Sequence, residues 1–224
     1  MKNISLKQRA LSTKRKNFRG CKKAVAEIRR SYSNPDGNVN EKIENAAALL
    51  LSSVNDKAES SFPLKVVHLL NELDFVLYRA TFKNNAQSGL IVIDSSLPEK
   101  MHTESGRVIF VNKKDSTAHQ RFTIAHEIAH YIFDFNEASH FTYKKACCTT
   151  DKESPIELRA NRFAAALLTP ADVFRKEFEK EKKHQGDTYS LSEITSLLAN
   201  LFEAPVTAVK LRFEETGCDF LGQI

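Results

Sequence analysis

The pattern His126-Glu127-Ile128-Ala129-His130 constrains the fold more than any other feature of the sequence, because it lies inside a segment of helical periodicity, Ser116 to Phe133. Side chains four positions apart project from the same face of a helix, about one turn from each other. Two imidazoles at this spacing can bind one metal ion. The sequence therefore predicts a helix that presents His126 and His130 as metal ligands.

Zinc is the metal that these donors favour, because imidazole nitrogens bind it at about 2.0–2.1 Å and a catalytic site keeps three protein ligands and one open position. Glu127 follows the first histidine, so its carboxylate can act as general base toward a water molecule at that position. The predicted reaction is hydrolysis of a peptide bond. In the alternative interpretation, two histidines on a helix surface flank a chance glutamate, but the apolar residues around them favour a buried helix.

A third ligand is needed, and Glu157 is the best candidate. It opens a second segment of helical periodicity, Pro155 to Leu168, and a returning helix can place a carboxylate opposite two imidazoles. However, Ser154 and Glu157 also form a capping box, in which the glutamate would only satisfy the backbone of the helix start. The spacing alone leaves both interpretations open.

The rest of the chain alternates between helical and extended patterns. Further helices are predicted at Glu41–Val54, Pro63–Leu73, Leu191–Phe202 and Thr207–Thr216, and strands at Phe75–Phe82, Gly89–Ile93 and Val108–Val111. Three short strands suit a small sheet covered on one face by helices. The predicted class is α+β, with a three-stranded sheet, an active-site helix and a C-terminal helical pair.

Positive charge is concentrated at the start of the chain. The net charge is +5, yet residues 1–30 hold eleven Lys or Arg and a single acid, Glu27, which gives +10 there and −5 for residues 31–224. A turn-forming cluster, Ser33–Gly37, follows. We interpret residues 1–37 as a basic arm and linker, either solvated or in contact with nucleic acid or an acidic partner, the first being favoured.

The composition indicates a protein without a membrane-spanning segment, in a reducing environment. No stretch of 18 consecutive apolar residues is present, and the first 30 residues lack the apolar core of a secretion signal, so no membrane association is predicted. Cysteines in such a chain are typically reduced thiols. The four are Cys21, Cys147, Cys148 and Cys218. A cytoplasmic location fits best.

The segments Arg121–His130, Glu157–Ala165 and Leu167–Pro170 resemble the ImmA/IrrE family of bacterial and phage zinc metallo-endopeptidases, and the resemblance covers roughly residues 60–217. It implies a zincin-like fold and a zinc-ligand role for Glu157. It also implies that Asn161 orients a ligating histidine by a hydrogen bond; an ordinary polar residue on the helix surface is the alternative.

The resemblance further implies the substrate, a helix-turn-helix transcriptional repressor whose cleavage relieves repression of a mobile element or of stress genes. The competing hypothesis is a DNA- or repressor-binding regulator with a structural or vestigial zinc site.

We divide the chain into the arm, a zincin-like metallopeptidase core (38–186) and a helix-turn-helix-like pair (187–224). The second helix of that pair carries only two basic residues, Lys210 and Arg212, so packing or substrate docking is favoured over DNA binding.

Two questions stay open at this level. The donor that would stabilise the oxyanion is not singled out among four residues close in sequence to the ligands: His119, His140, Tyr143 and Arg159. The stretch between Phe133 and Ser154, with its adjacent Cys147 and Cys148, matches no motif. These two thiols are interpreted as free cysteines, with zinc ligation the less favoured alternative.

Overall fold

The computed structural model describes residues 20–54, 62–84, 86–94, 105–135, 141–143, 154–185 and 190–218. Its helices are α1 (20–32), α2 (Val39–Val54), α3 (Val66–Glu72), α4 (Thr117–Phe133), α5 (Pro155–Leu168), α6 (Ala171–Gln185), α7 (Leu191–Phe202) and α8 (Val206–Thr216). Its strands are β1 (Val76–Ala80), β2 (Gly89–Ile93), β3 (Arg107–Asn112) and β4 (Phe141–Tyr143). The predicted helices and strands are all present, with ends shifted by a few residues at most.

Serine side chains fix where three of the helices begin. Ser116, Ser154 and Ser190 each accept a hydrogen bond from the backbone N–H three residues later, at the starts of α4, α5 and α7. These N–H groups have no partner within the helix, so the hydroxyl stabilises the first turn. At the other end of the chain, Gly217 adopts φ 66° and ends α8, a conformation that costs glycine little.

The sheet has the strand order β1-β3-β2-β4 and is mixed. β1 and β3 run parallel, whereas β2 pairs antiparallel with β3 and with β4. The three predicted strands are confirmed. The short fourth strand pairs Phe141 with Ile93 and Tyr143 with Ile91, within the stretch to which the sequence analysis assigned no structure.

One hydrophobic core joins the sheet to the helices. α4 packs on β2, β3 and α5, and α5 packs in turn on α2 and α8. The core side chains of α4 and α5 include Ile124, Ile128, Ile132, Phe163, Leu167 and Leu168, all nearly inaccessible to solvent. This arrangement confirms the α+β class, with α4 held between the sheet and α5.

Helix α1 belongs to the same core, although the sequence analysis placed its residues in the basic arm. Cys21, Ala24, Val25 and Ile28 recur at helical spacing and are buried, and all but Ala24 join the main core cluster. The lysines and arginines of the helix occupy its other faces, so a high local charge does not prevent one apolar stripe from packing. Residues 1–19 of the proposed arm lie outside the described residues, and the boundary proposed at residue 187 stays a prediction.

Among the described helices, none is both long and apolar enough to cross a membrane on its own. α7 and α8 pass such a test only as a pair, and a bend of 107° separates them. Their apolar residues Ile194, Leu198 and Val209 are buried in the protein core.

Candidate metal centre

Helix α4 presents His126, Glu127 and His130 beside the first turn of α5, where Glu157 lies. All four residues are buried: His126 is 7% exposed, Glu127 5%, His130 1% and Glu157 3%. Burial of so many ionisable groups is unfavourable unless they pair with one another or bind a metal. Their shared location, at the junction of α4 and α5, therefore indicates a functional site.

The ligand atoms of His126, His130 and Glu157 converge, lying within 4.8 Å of one another. The two Nε2 atoms are 3.0 Å apart, and Glu157 places Oε2 3.2 Å from Nε2 of His126 and Oε1 3.6 Å from Nε2 of His130. The donors around a tetrahedral ion bound at about 2.0–2.1 Å, such as zinc, lie about 3.3 Å apart. The three residues thus fit a divalent ion of this kind.

Glu157 serves two purposes at once. Its backbone N–H donates to the hydroxyl of Ser154 at 3.4 Å, so the serine half of the predicted capping box is present. Its carboxylate meanwhile faces the two imidazoles. A capping box would use this carboxylate for the backbone N–H of Ser154. Its position beside His126 and His130 favours the ligand interpretation instead.

Each histidine is held by a hydrogen bond at the nitrogen that faces away from the converging atoms. Nδ1 of His126 donates to Oδ1 of Asn161 at 2.9 Å, and Nδ1 of His130 donates to Oδ2 of Asp134 at 2.8 Å. A proton on Nδ1 leaves the lone pair of Nε2 available to a metal. Asn161 was expected from the sequence, whereas Asp134 was not, although Asp134 follows His130 by four residues and so shares its helix face.

The electrostatics of His130 follow from its neighbours. Burial by itself lowers the pKa of His130, but the hydrogen bonds to Asp134 and Glu157 and the negative charges of Glu127 and Glu157 raise it to about 9. In the absence of metal, His130 is therefore protonated at neutral pH. The same carboxylates stabilise a divalent cation at this position.

Gly89, at the start of β2, lets the strand approach Glu127 closely. A Cβ atom at this position would lie 2.4 Å from Cγ2 of Thr123 and 2.7 Å from Oε1 of Glu127. Any larger residue would displace the carboxylate or the strand. Gly89 was predicted only as a strand residue, because the proximity of β2 to α4 is a tertiary feature.

Two of the four candidate oxyanion donors have other partners. Arg159 forms an ion pair with Asp134, and Nε2 of His119 lies 2.9 Å from Oγ of Ser88. The other two candidates are not described, because His140 and the side chain of Tyr143 lie outside the described residues. The same is true of the neighbouring pair Cys147 and Cys148. The oxyanion donor is therefore not assigned.

An α+β fold that brings two histidines of one helix and a glutamate of the next to a buried cluster defines a metal-binding site of the metallopeptidase type. The comparison with protein families agrees. Residues 73–214 match the model of the Peptidase M78 family, the IrrE N-terminal-like domain, so the chain belongs to this family of metallopeptidases. The match confirms the resemblance found in the sequence. Comparison with curated proteins gave no match.

Proposed function

We propose that the protein is a zinc-dependent endopeptidase whose ligands are His126, His130 and Glu157 and whose general base is Glu127. The observation that carries the proposal is the convergence of one carboxylate and two imidazole nitrogens at 3.0–3.6 Å in a buried cluster. Zinc is the proposed metal because two imidazoles and one carboxylate make up a common catalytic zinc site.

The roles of the protein groups follow from their positions. When bound, zinc polarises the scissile carbonyl group and lowers the pKa of water. Glu127 lies on the same helix face, where its carboxylate can accept the proton of the attacking water and pass it to the leaving amine. Asn161 and Asp134 hold the imidazoles in the tautomer with the proton on Nδ1, so that the lone pair of Nε2 is available to the metal.

The proposed substrate is a helix-turn-helix transcriptional repressor, and cleavage would relieve repression of a mobile element or of stress genes. Support comes from the family resemblance in Arg121–His130 and Glu157–Ala165. We place the activity in the cytoplasm, where thiols such as the buried Cys21 stay reduced.

The structure weakens the alternative of a DNA-binding regulator that uses α8. Of the two basic residues that the sequence offered there, Arg212 is 0% exposed and is bound to Glu44, Glu215 and the carbonyl of Thr169. Lys210 is therefore the one basic residue that α8 exposes to solvent. Contact with nucleic acid through the arm stays a prediction, because residues 1–19 lie outside the described residues.

Incubation of the purified protein with helix-turn-helix repressors from the same genome tests the proposal. We expect one zinc ion per chain by elemental analysis and discrete repressor fragments by mass spectrometry, both lost with a chelator. Glu127→Gln should keep the zinc and abolish cleavage, whereas Glu179→Gln, on the exposed face of α6, should change neither. Cleavage by Glu127→Gln at the normal rate would refute the proteolytic mechanism.

A further inference from the structure

We propose that Asp134 and Arg159 are positioning residues that hold His130 in place for the metal, and that α1 forms part of the same support. This inference rests on the proposed function, because it assigns a role toward the metal of that site. It concerns residues that neither ligate nor reach the reacting atoms. Their contacts link the metal centre to α1, which begins about a hundred residues earlier in the chain.

Asp134 is attached to His130 in two ways. Its carboxylate accepts the hydrogen bond from Nδ1 of His130 at 2.8 Å, and its backbone N–H donates to the carbonyl of the same residue at 2.9 Å, which ends α4. The side chain and the backbone of Asp134 are therefore fixed with respect to one imidazole. Such an arrangement sets both the tautomer and the plane of a ligating histidine.

Arg159 restrains the carboxylate of Asp134 from the other side. Its Nη2 atom forms an ion pair with Oδ1, whereas His130 uses Oδ2, so the two oxygens have different partners and rotation of the carboxylate is opposed. Both side chains are mostly buried, with 17% of Arg159 and 14% of Asp134 exposed. A pair this protected from solvent is screened less than a surface ion pair.

Aromatic rings hold the guanidinium of Arg159 in turn. Its Cζ atom lies 5.2 Å from the ring centroid of Phe133, in α4, and 5.4 Å from that of Tyr32, the last residue of α1. The two rings also contact each other, with centroids 4.8 Å apart. Cation–π contacts of this length are attractive and restrict the position of the cation.

A second arginine fixes the end of α4. Nε of Arg29, in α1, donates to the carbonyl of Ile132 at 2.9 Å, and Nη2 donates to that of Tyr131 at 2.7 Å. Carbonyls in the last turn of a helix have no partner within it, so these bonds replace water at the turn that precedes Asp134. Arg29 thus connects α1 to the end of α4, and Tyr32 connects it to Arg159.

Zinc affinity, measured by competition with a chromogenic chelator, tests the inference. Loss of a residue that orients a ligand typically weakens metal binding by about 10–100-fold. We expect such a loss for Asp134→Ala, and a smaller one for Asp134→Asn, because the amide keeps an acceptor oxygen, as Asn161 does for His126. Arg159→Met should weaken zinc binding as well.

The double variant separates positioning from general destabilisation. If Arg159 acts through Asp134, adding Arg159→Met to Asp134→Ala should cause little further loss of zinc affinity. The matched control is Arg162→Met in the same helix, which removes the contacts with Glu215 and Asn40 and should leave affinity unchanged. The cobalt-substituted protein should show an altered visible spectrum in the Asp134 variants and not in the control.

The outcomes are distinct. Normal zinc affinity in Asp134→Ala, with zinc still lost in His126→Ala, would overturn this inference and leave the proposed function intact. A full additional loss in the double variant would show that Arg159 does not act through Asp134. Absence of zinc from the unaltered protein would overturn both proposals.

Discussion

The amide oxygen of Asn161 accepts a hydrogen bond from Nδ1 of His126 at 2.9 Å. Asn161 lies in α5, one helical turn after Glu157. The two histidines of α4 are four residues apart, and the same interval recurs in α5. There it separates Glu157, a candidate ligand, from Asn161, which orients the ligand candidate His126. α5 therefore contributes to the metal centre through its whole first half, and its registration against α4 controls both contacts.

Asn161→Leu should weaken zinc binding by about 10–100-fold, because His126 would lose the acceptor that fixes its tautomer. Asn161→Asp keeps an acceptor oxygen and should retain most of the affinity. Chelator competition measures both. Equal affinities in the leucine variant and the unaltered protein would show that the hydrogen bond has no role in metal binding.

Metal uptake at neutral pH should release a proton from His130, because its pKa in the metal-free protein is about 9 and only the neutral imidazole binds a metal. The proton competes with the metal, so apparent affinity should rise with pH, by up to about tenfold per unit, and level off as pH approaches the pKa. Calorimetric titrations at pH 7 in buffers of different ionisation enthalpy measure the released protons. Titrations whose heat does not depend on the buffer would contradict this assignment.

Gly89→Ala should reduce peptidase activity, because the added methyl group would meet Cγ2 of Thr123 at 2.4 Å and Oε1 of Glu127 at 2.7 Å. Combination with Thr123→Ser removes the first of these atoms and should restore part of the activity. Gly217→Ala is the control, since its chain neighbours aside no atom of the described residues lies within 4 Å of the added methyl group. That control should lose only about 1 kcal/mol of stability, from the positive φ. Activity in Gly89→Ala equal to that of the control would show that the close approach of β2 is not needed.

Arg212→Met should destabilise the protein by about 3 kcal/mol, because it removes a fully buried guanidinium and leaves the carboxylate of Glu215, only 9% exposed, with Arg162 as its remaining ion-pair partner among the described residues. Arg212 bonds both Glu44 and Glu215, and burial already raises the pKa of Glu215, an effect that Arg212 opposes. Urea denaturation measures the change. Lys210→Met, exposed on the same helix, should alter stability by less than about 0.5 kcal/mol. A similar small effect of Arg212→Met would mean that the buried cluster contributes little to folding.

The sequence predicted what depends on local spacing. His126 and His130 were identified from a four-residue interval, and the strand and helix positions from their periodicity. Glu157 needed the family resemblance, because its approach to the imidazoles depends on how α5 packs against α4. Asp134 carried a local signal, the interval of four residues from His130, which was not used.

Other features depend on contacts between distant parts of the chain. Arg212 has an ordinary helical context, and its burial depends on Glu44, 168 residues away. The apolar stripe of α1 was present in the sequence at Cys21, Val25 and Ile28, but the surrounding charge suggested a solvated arm. β4 is three residues long, too short for any alternation to be recognised.

The contact between Arg29 and the end of α4 has a consequence for the order of events during synthesis. The bonded residues are 102 and 103 positions apart, so the ribosome completes α1 long before its docking site. At about 5–20 residues per second, this delay is roughly 5–20 s. Glu157 and Arg159 follow later still, in α5, so the nascent chain cannot complete the candidate metal centre until translation has passed that helix.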